Sequence, residues 1–320
     1  DDPDADDAVV LAALDGAEAF WDGAFPDVYG RSFEPVSGGF FPYGPDRDVP
    51  PCEGIRSYSE IAQNAFYCPS DDLIAWDTDA LTGELLETFG PFTLAIVAAH
   101  EYGHAVQERA PVTGPTVALE QQADCFAGAF SAFVADGGTD DLSVGIEDLD
   151  LAVAGFLTLR DAPGTPAVDP SAHGSAFDRV GAFQDGFLNG AERCAEYEEI
   201  YDQGGTTVID IQFTSQEDFA SGGNAPFDPA VDGDIFELTL GSLETFWLEA
   251  LPAEFGTAWD PLVTRDAVVP FDGGDPSSVP DCLDDDDPPE AFTCVGDPAD
   301  PGDDVVAFDT SVVADLYDEI

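Results

Sequence analysis

Apolar side chains recur at helical spacing in three segments of the chain. They predict helices over residues 8–21, 92–108 and 235–247. The first and third of these helices are each followed by a stretch rich in glycine and proline, which predicts irregular backbone. The second helix is preceded by the Gly-Pro pair at 90–91, which leads directly into the apolar run.

Two shorter apolar runs, residues 62–68 and 73–76, predict strands. The residues between them, 69–72, are Pro, Ser, Asp and Asp, all of which favour a turn.

The chain contains an internal repeat. Residues 20–35 recur without gaps as residues 246–261, and shorter matches follow in the same order. Residues 8–90 and 234–320 are therefore predicted to be two copies of one unit. The second copy ends where the counterpart of the long apolar helix would begin, so we expect a sequence that is shortened at its C-terminus.

The charge of the chain excludes several partners. There are 67 acidic side chains against 8 basic ones, and the net charge is −59. Nucleic acids need cationic surfaces, so a nucleic-acid partner is excluded, and the absence of lysine leaves no polybasic membrane patch. The longest apolar run, 94–99, is too short to span a bilayer, so no membrane insertion is expected. Such charge is typical of a salt-adapted protein.

Six cysteines indicate an oxidising compartment, and we expect a secreted or cell-surface protein. Sequence alone leaves their connectivity open. The repeat narrows the choice, because each copy holds one pair at corresponding positions. The expected disulfides are Cys52 with Cys68, Cys282 with Cys294 and, by elimination, Cys125 with Cys194.

Two of the three histidines lie in the sequence His100-Glu101-Tyr102-Gly103-His104. Residues four apart share one face of a helix, so both imidazoles can reach one metal ion, with Glu101 beside it as a general base. This is the HExxH pattern. The alternative interpretation is a helix with two partly buried histidines that bind no metal.

A third metal ligand is predicted at Glu120, 16 residues after His104. Catalytic zinc takes three protein ligands and keeps one position for water, and two histidines with one glutamate are a known set. Asp124 follows one helical turn later and can hold the far nitrogen of a ligand histidine. Acidic pairs are common in this chain, so this prediction depends on the position of Glu120 after the HExxH pattern.

Residues 64–67, Asn-Ala-Phe-Tyr, lie on the first predicted strand shortly before the HExxH helix. The edge of a strand binds an extended peptide through main-chain hydrogen bonds. Asn64 and Ala65 are therefore candidates for substrate binding.

These motifs resemble those of known peptidases. Asn-Ala-Phe-aromatic followed by HExxH is similar to thermolysin-like peptidases, and a closer resemblance is to the putative neutral zinc metallopeptidases of bacteria. The matching segments are residues 64–72, 100–107 and 120–128, His173-Gly174-Ser175, Arg179, and Gly186-Phe187. The resemblance implies a zincin-like α+β domain over residues 1–200, mainly helical with a small antiparallel sheet. The internal repeat predicts that residues 201–320 are a degenerate second copy of its N-terminal part, without HExxH.

The resemblance implies one zinc ion bound by His100, His104 and Glu120, and hydrolysis of peptide bonds in a peptide or protein substrate. Zinc would activate a water molecule, and Glu101 would accept its proton. His173, the remaining histidine, is the candidate donor to the oxyanion. It also fits a structural role or a fourth zinc ligand.

A second function class stays open at this point. Residues 201–320 contain no histidine, so the second copy lacks a comparable zinc site. The protein then fits an extracellular binding or scaffold module built on a duplicated unit, with little or no hydrolysis. The sequence does not determine an oligomeric state.

Overall fold

The computed structural model describes residues 5–110, 112, 114–161, 172–202, 207, 234–259, 268–275, 277–280, 290–294 and 305–319. The chain divides into two compact units, residues 1–213 and 214–320. Each unit combines helices with a small sheet, so the α+β class is confirmed. The predicted assignment of residues 1–200 and 201–320 to two related domains stays a prediction.

In the first unit, one described α-helix precedes the three strands along the chain, and five follow them. Its described helices are α1 (Ala5–Tyr29), α2 (Thr82–Phe89), α3 (Pro91–Arg109), α4 (Thr116–Ala135), α5 (Ile146–Thr158) and α6 (Ala176–Asp202). Its described strands are β1 (Gly39–Tyr43), β2 (Ala65–Cys68) and β3 (Leu73–Asp77). The helix predicted over 92–108 is confirmed as α3, and the two predicted strands are confirmed as β2 and β3.

The sheet of the first unit is mixed, so the predicted antiparallel sheet is wrong in one respect. β2 pairs antiparallel with β3, as expected, but β1 pairs parallel with the other edge of β3. β1 has the sequence Gly-Phe-Phe-Pro-Tyr, which lies in the stretch predicted to be irregular. Proline is tolerated on an edge strand, where an N–H group is not needed. Since β3 is the central strand, β2 is an edge strand, and its outer edge is unpaired among the described strands.

The core forms where α1 and α4 pack on α3, the helix that carries the HExxH sequence. Trp21 on α1 is buried and contacts the ring of Phe126 on α4 edge to face, with centroids 4.8 Å apart. On α3, Tyr102 is fully buried and faces Phe33. Burial of such large side chains fixes α3 in place, with its histidines on the opposite side from α1.

The helices α4 and α6 cross in close contact. A Cβ atom at Gly128 would collide with the carbonyl of Phe183, and one at Gly186 would collide with the carbonyl of Cys125. Cys125 also forms a disulfide with Cys194, as predicted. Glycine at both crossing points therefore lets the backbones approach, and the disulfide holds them together.

The other predicted disulfides have two outcomes. The bond between Cys52 and Cys68 is confirmed, and it fastens the long loop before β2 to the end of that strand. Cys294 is disulfide-bonded. Its predicted partner, Cys282, lies outside the described residues.

The second unit contains α7 (Ile235–Phe255) and α8 (Thr310–Glu319), with β4 (Val268–Phe271), β5 (Ala291–Cys294) and β6 (Val305–Asp309). Its sheet has the same pattern as the first: β4 is parallel to the central strand β6, and β5 is antiparallel to it. The predicted helix over 235–247 is confirmed, although α7 continues further.

Matching details occur at the ends of α1 and α7. Both helices contain a proline, Pro26 and Pro252, whose carbonyl accepts a hydrogen bond from a glycine with positive φ, Gly30 and Gly256. A duplicated unit would give these similarities, and they support the predicted repeat. The duplication itself stays a prediction.

Among the described residues, none of the helices combines the length and apolar character that a membrane span requires.

Candidate active site

The helix α3 places both histidines of the HExxH sequence on one face. The Nε2 atoms of His100 and His104 lie 3.2 Å apart. Each ring is fixed at its other nitrogen: Nδ1 of His100 lies 2.6 Å from Asp124, and Nδ1 of His104 lies 2.9 Å from Oε1 of Gln107. With Nδ1–H donated to these oxygens, both Nε2 lone pairs point to the same place.

Glu120 on α4 completes this cluster. Its carboxylate oxygens lie 3.2 Å from Nε2 of His100 and 3.4 Å from Nε2 of His104. The contact depends on a close approach of the two helices, because a Cβ atom at Gly103 would lie only 3.0 Å from Cα of Ala123. The three predicted metal ligands are therefore together in the folded chain.

The donor atoms of the cluster fit a zinc ion. Ligand atoms held about 2.0–2.1 Å from a tetrahedral zinc ion lie about 3.3–3.4 Å from one another. The distances among His100, His104 and Glu120 are 3.2–3.4 Å. Oε2 of Glu120 is also buried and has no hydrogen-bond donor. A buried carboxylate oxygen without a donor is costly unless a cation satisfies it.

The charges around the cluster shift the pKa values of its side chains. Burial lowers the pKa of His100, but the charge and hydrogen bond of Asp124 and the contact with Glu120 outweigh it and raise that pKa to about 10. Burial likewise opposes the rise in the pKa of His104, which Glu120 causes. For Glu120, burial raises the pKa, but both imidazoles bring it far below its usual range.

Glu101 lies beside the cluster and is not one of the three candidate metal ligands. Burial raises the pKa of its carboxyl group, and the two histidines partly oppose this rise. Its Oε2 atom accepts a hydrogen bond of 2.9 Å from the main-chain N–H of Tyr67 on β2. A raised pKa and a fixed orientation suit a residue that exchanges protons with a reacting group.

The residues behind the metal ligands form a second layer. Asp124 is fully buried and receives Nε and Nη2 of Arg179 in addition to His100. Gln107 holds His104 and donates to the carbonyl of Leu119 on α4 at 2.7 Å. The sequence predicted the place of Asp124, but the roles of Gln107 and Arg179 depend on contacts between helices. Both residues were noticed in the sequence only as parts of the resembling segments.

The strand β2 forms one wall beside the cluster. The carbonyl of Asn64, just before β2, accepts a hydrogen bond from Asp77 on β3, whereas the N–H of Tyr67 faces Glu101. Because bonding direction alternates along a strand, the main-chain groups of Ala65 and Tyr67 face the open edge. The strand begins at Ala65, later than the predicted 62, because Gln63 adopts a positive φ of 61°.

His173 lies at the mouth of the site on the short segment before α6. About half of its side chain is exposed, and its ring is 3.4 Å from the carboxylate of Asp161. Its N–H and that of Gly174 both donate to Asp161 at 2.8 Å. Asp161 was missed in the sequence, because no motif distinguishes one aspartate among so many acidic residues. The described metal cluster consists of His100, His104 and Glu120 and does not include His173.

The three predicted metal ligands, Glu101 and His173 border one cleft of about 390 Å³. Its polar side is formed by the ligand cluster, Glu101 and His173, and its other side by β2 and apolar side chains. The residues that line it are Asn64, Ala65, Phe66, Tyr67, Pro69, His100, Glu101, His104, Gln107, Glu108, Val112, Leu119, Glu120 and His173. Every catalytic, metal-binding and substrate-binding residue predicted from sequence therefore borders it.

Two histidines one helical turn apart, with a glutamate from the next helix, form the ligand set of the zinc hydrolases of the HExxH class. Residues 50–197 match the profile of the family described as "Putative neutral zinc metallopeptidase". The resemblance predicted from the motifs is thus confirmed over residues 50–197.

Similar proteins occur in Mycobacterium tuberculosis and Escherichia coli. The uncharacterized protein Rv2575 of Mycobacterium tuberculosis is 30% identical in an alignment of 151 residues, which covers 39% of this chain and 52% of the relative. The uncharacterized protein YpfJ of Escherichia coli K12 is 29% identical in an alignment of 146 residues, which covers 39% of this chain and 50% of the relative. The chain thus matches about half the length of these relatives. No solved structure matches the chain significantly.

Proposed function

We propose that the protein is a zinc-dependent peptidase that hydrolyses peptide bonds in the cleft of the first unit. The observation that carries this proposal is the convergence of His100, His104 and Glu120 beside the buried carboxyl group of Glu101. The cluster borders a cleft with an open strand edge. A structural metal site would not need a cleft or an adjacent base.

The ligands would be Nε2 of both histidines and the carboxylate of Glu120. Zinc bound there would act as a Lewis acid and bring the pKa of a water molecule to about 7. Glu101 then accepts the proton of the attacking water and donates it to the leaving amine. The N–H of Tyr67 keeps the carboxylate of Glu101 turned toward the cleft while it does so.

The substrate would bind as an extended chain along β2. The outward main-chain groups of Ala65 offer hydrogen bonds, and Asn64 borders the same wall. His173 donates to the oxyanion from the opposite side, and Asp161 orients its ring. This arrangement gives His173 a role beside the reacting carbonyl and leaves the metal with three protein ligands.

Peptides and proteins outside the cell are the proposed substrates. The two disulfides of the first unit are compatible with an oxidising compartment. Secretion or attachment at the cell surface, salt adaptation and the reaction itself belong to this proposal.

Glu101→Gln tests the proposal, because it removes the base and keeps the shape of the side chain. We expect hydrolysis of casein or a peptide library to fall by at least about 10²-fold, while zinc content by atomic absorption stays stoichiometric. The control is Glu87→Gln on the exposed face of α2, which makes the same charge change away from the cleft. Undiminished cleavage by Glu101→Gln would show that Glu101 is not the base, and a native protein without zinc would overturn the proposed function.

A further inference from the structure

Arg179 is a buried cation that contacts two separate segments of the first unit. Its side chain is only 4% exposed, and it lies near the start of α6. Its Nε and Nη2 atoms donate to Asp124 at 2.9 and 2.8 Å, while Nη1 donates to the carbonyl of Leu159 at 2.7 Å. One guanidinium group therefore joins α4 to the residue that follows α5.

On one side, these contacts lead to the metal ligands. The Oδ1 atom of Asp124 receives both Arg179 and His100. A carboxylate held by a planar, two-point donor has one orientation available, and that orientation fixes the ring of His100. Arg179 also supplies the positive charge that a fully buried Asp124 needs.

On the other side, the contacts lead to His173. Leu159 lies two residues before Asp161, whose carboxylate accepts from the N–H groups of His173 and Gly174. The N–H of Asp161 donates in return to the carbonyl of Gly174 at 3.1 Å. Gly174 has a φ of 108°, a conformation that suits glycine. The segment that carries His173 is thus pinned to the segment that Arg179 holds.

The backbone makes a second connection between Arg179 and His173. Ser175 and Asp178 bond reciprocally at the start of α6: the hydroxyl of Ser175 accepts from the N–H of Asp178 at 3.2 Å and donates to its carboxylate at 2.8 Å. Such a capping arrangement makes the first turn rigid. His173 therefore lies in a short segment that is tied to Arg179 at both of its ends.

We propose that Arg179 is a positioning residue that sets the placement of His173 relative to the metal ligands. The roles of His173 and of the ligands rest on the proposed function, whereas the connecting contacts are those of the folded chain. The planar fork of arginine is needed, because the ammonium group of lysine is a single point charge and does not reproduce both contacts in the same geometry.

Arg179→Lys tests this role with two measurements that do not depend on hydrolysis. The first is the zinc dissociation constant of the metal-free protein, measured by competition with a chelator. We expect it to rise by about 10–100-fold, as for other changes behind metal ligands. The second is the NMR spectrum of the imidazole rings in the zinc-loaded protein. The chain has three histidines, so His173→Ala assigns the signals of His173, which we expect to shift in Arg179→Lys.

The matched control is Arg193→Lys, further along α6 and beyond the break in the helix at Gly190. The guanidinium of Arg193 contacts Asp185 and Glu196, and its side chain is 36% exposed. We expect zinc affinity and the signals of His173 to stay as in the native protein.

Asp124→Asn tests the same connection from the metal side and serves as a second variant if Arg179→Lys does not fold. Asp124 has no direct contact with His173 among the described hydrogen bonds, so a shift of the His173 signals in this variant supports transmission through Arg179. If native protein binds zinc and a folded Arg179→Lys keeps either its zinc affinity or its His173 signals, the positioning role is wrong. A native protein that binds no zinc would instead overturn the proposed function.

Discussion

Gly103 on α3 lies directly against Ala123 on α4. A Cβ atom at Gly103 would be 3.0 Å from Cα and 3.2 Å from Cβ of Ala123. Gly103 immediately precedes the ligand His104, and Ala123 lies between Glu120 and Asp124 along α4. The two helices are thus in close contact beside the ligands, and the missing side chain of Gly103 allows the short distance across the metal cluster.

Gly103→Ala is expected to push α3 and α4 apart by a few tenths of an ångström. Overpacking of this kind costs about 1–3 kcal/mol in the free energy of unfolding, and the displaced ligands should bind zinc about 10-fold more weakly. Denaturant unfolding and chelator competition measure the two effects. Gly83→Ala on α2 is the control, since no atom lies within 4 Å of its added Cβ, and it should leave zinc affinity unchanged.

The crossing of α4 and α6 should be equally sensitive. In Gly186→Ala, the added methyl group meets the carbonyl of Cys125, and backbone atoms cannot give way as a flexible side chain does. We expect a loss of about 2–3 kcal/mol or failure to fold. Gly181→Ala on the same helix has open space around its Cβ and should be neutral or slightly stabilising. Equal stability of the two variants would contradict a close crossing.

The disulfide between Cys125 and Cys194 is expected to stabilise both the fold and the site. Its half-cystines are 69 residues apart, against 16 for Cys52 and Cys68. Replacing Cys125 and Cys194 by alanines should lower the free energy of unfolding by about 2–5 kcal/mol. This loss should be roughly 1 kcal/mol larger than that for the same change at Cys52 and Cys68.

The same variant should also bind zinc more weakly. The carbonyl of Cys194 accepts from Gln122, which contacts Gln107, the residue that holds His104. Removal of the Cys52–Cys68 bond, which lacks this connection, is the control. Zinc titration of both double variants measures the difference, and equal affinities would show that the disulfide does not support the metal cluster.

Asp77 is expected to make stability depend on pH. Its buried carboxylate accepts four hydrogen bonds, from the hydroxyl of Tyr58 and from the N–H groups of Gln63, Asp79 and Ala80. Burial raises its pKa, but these donors outweigh burial and hold the pKa below its usual value. The stabilisation is therefore complete above about pH 4, the unfolded value, and is lost as pH falls through the lower folded pKa.

Asp77→Asn should cost about 2–4 kcal/mol at neutral pH, because its amide group cannot accept from all four donors. The difference in unfolding free energy between native and variant should shrink as pH falls below about 4. Asp79→Asn, an exposed neighbour, makes the same charge change and controls for the net charge of the chain. A difference that is independent of pH would show that the charge of Asp77 contributes nothing.

Salt is expected to stabilise the protein. At a net charge of −59, self-repulsion is strong at low ionic strength, and it is screened within about 3 Å in molar salt. The melting temperature should rise between 0.1 and 2 M NaCl or KCl, chloride salts being chosen because sulfate strengthens apolar burial by itself. Equal melting in millimolar and molar chloride would contradict salt adaptation.

Local sequence patterns predicted the helices and strands whose formation depends mainly on neighbouring residues. The helix that carries His100 and His104 and the strands on either side of residues 69–72 follow from spacing and turn residues alone. β1 was missed, because its glycine and proline oppose strand formation locally and its pairing partner β3 lies some 30 residues away. The aspartate at 161 likewise carries no local signal in so acidic a chain.

The sequence by itself determined which side chains one helical turn of α3 presents, since the distance between residues four apart is a property of the helix. It also predicted Glu120 as the candidate ligand on the next helix and, through the internal repeat, the pairing of Cys125 with Cys194. Only the tertiary structure decided that Glu120 reaches the two histidines, because that contact depends on Gly103 and Ala123 meeting. The link from Asp124 through Arg179 toward His173 was decided in the same way, since a buried charge finds its partners only when distant segments have packed around it.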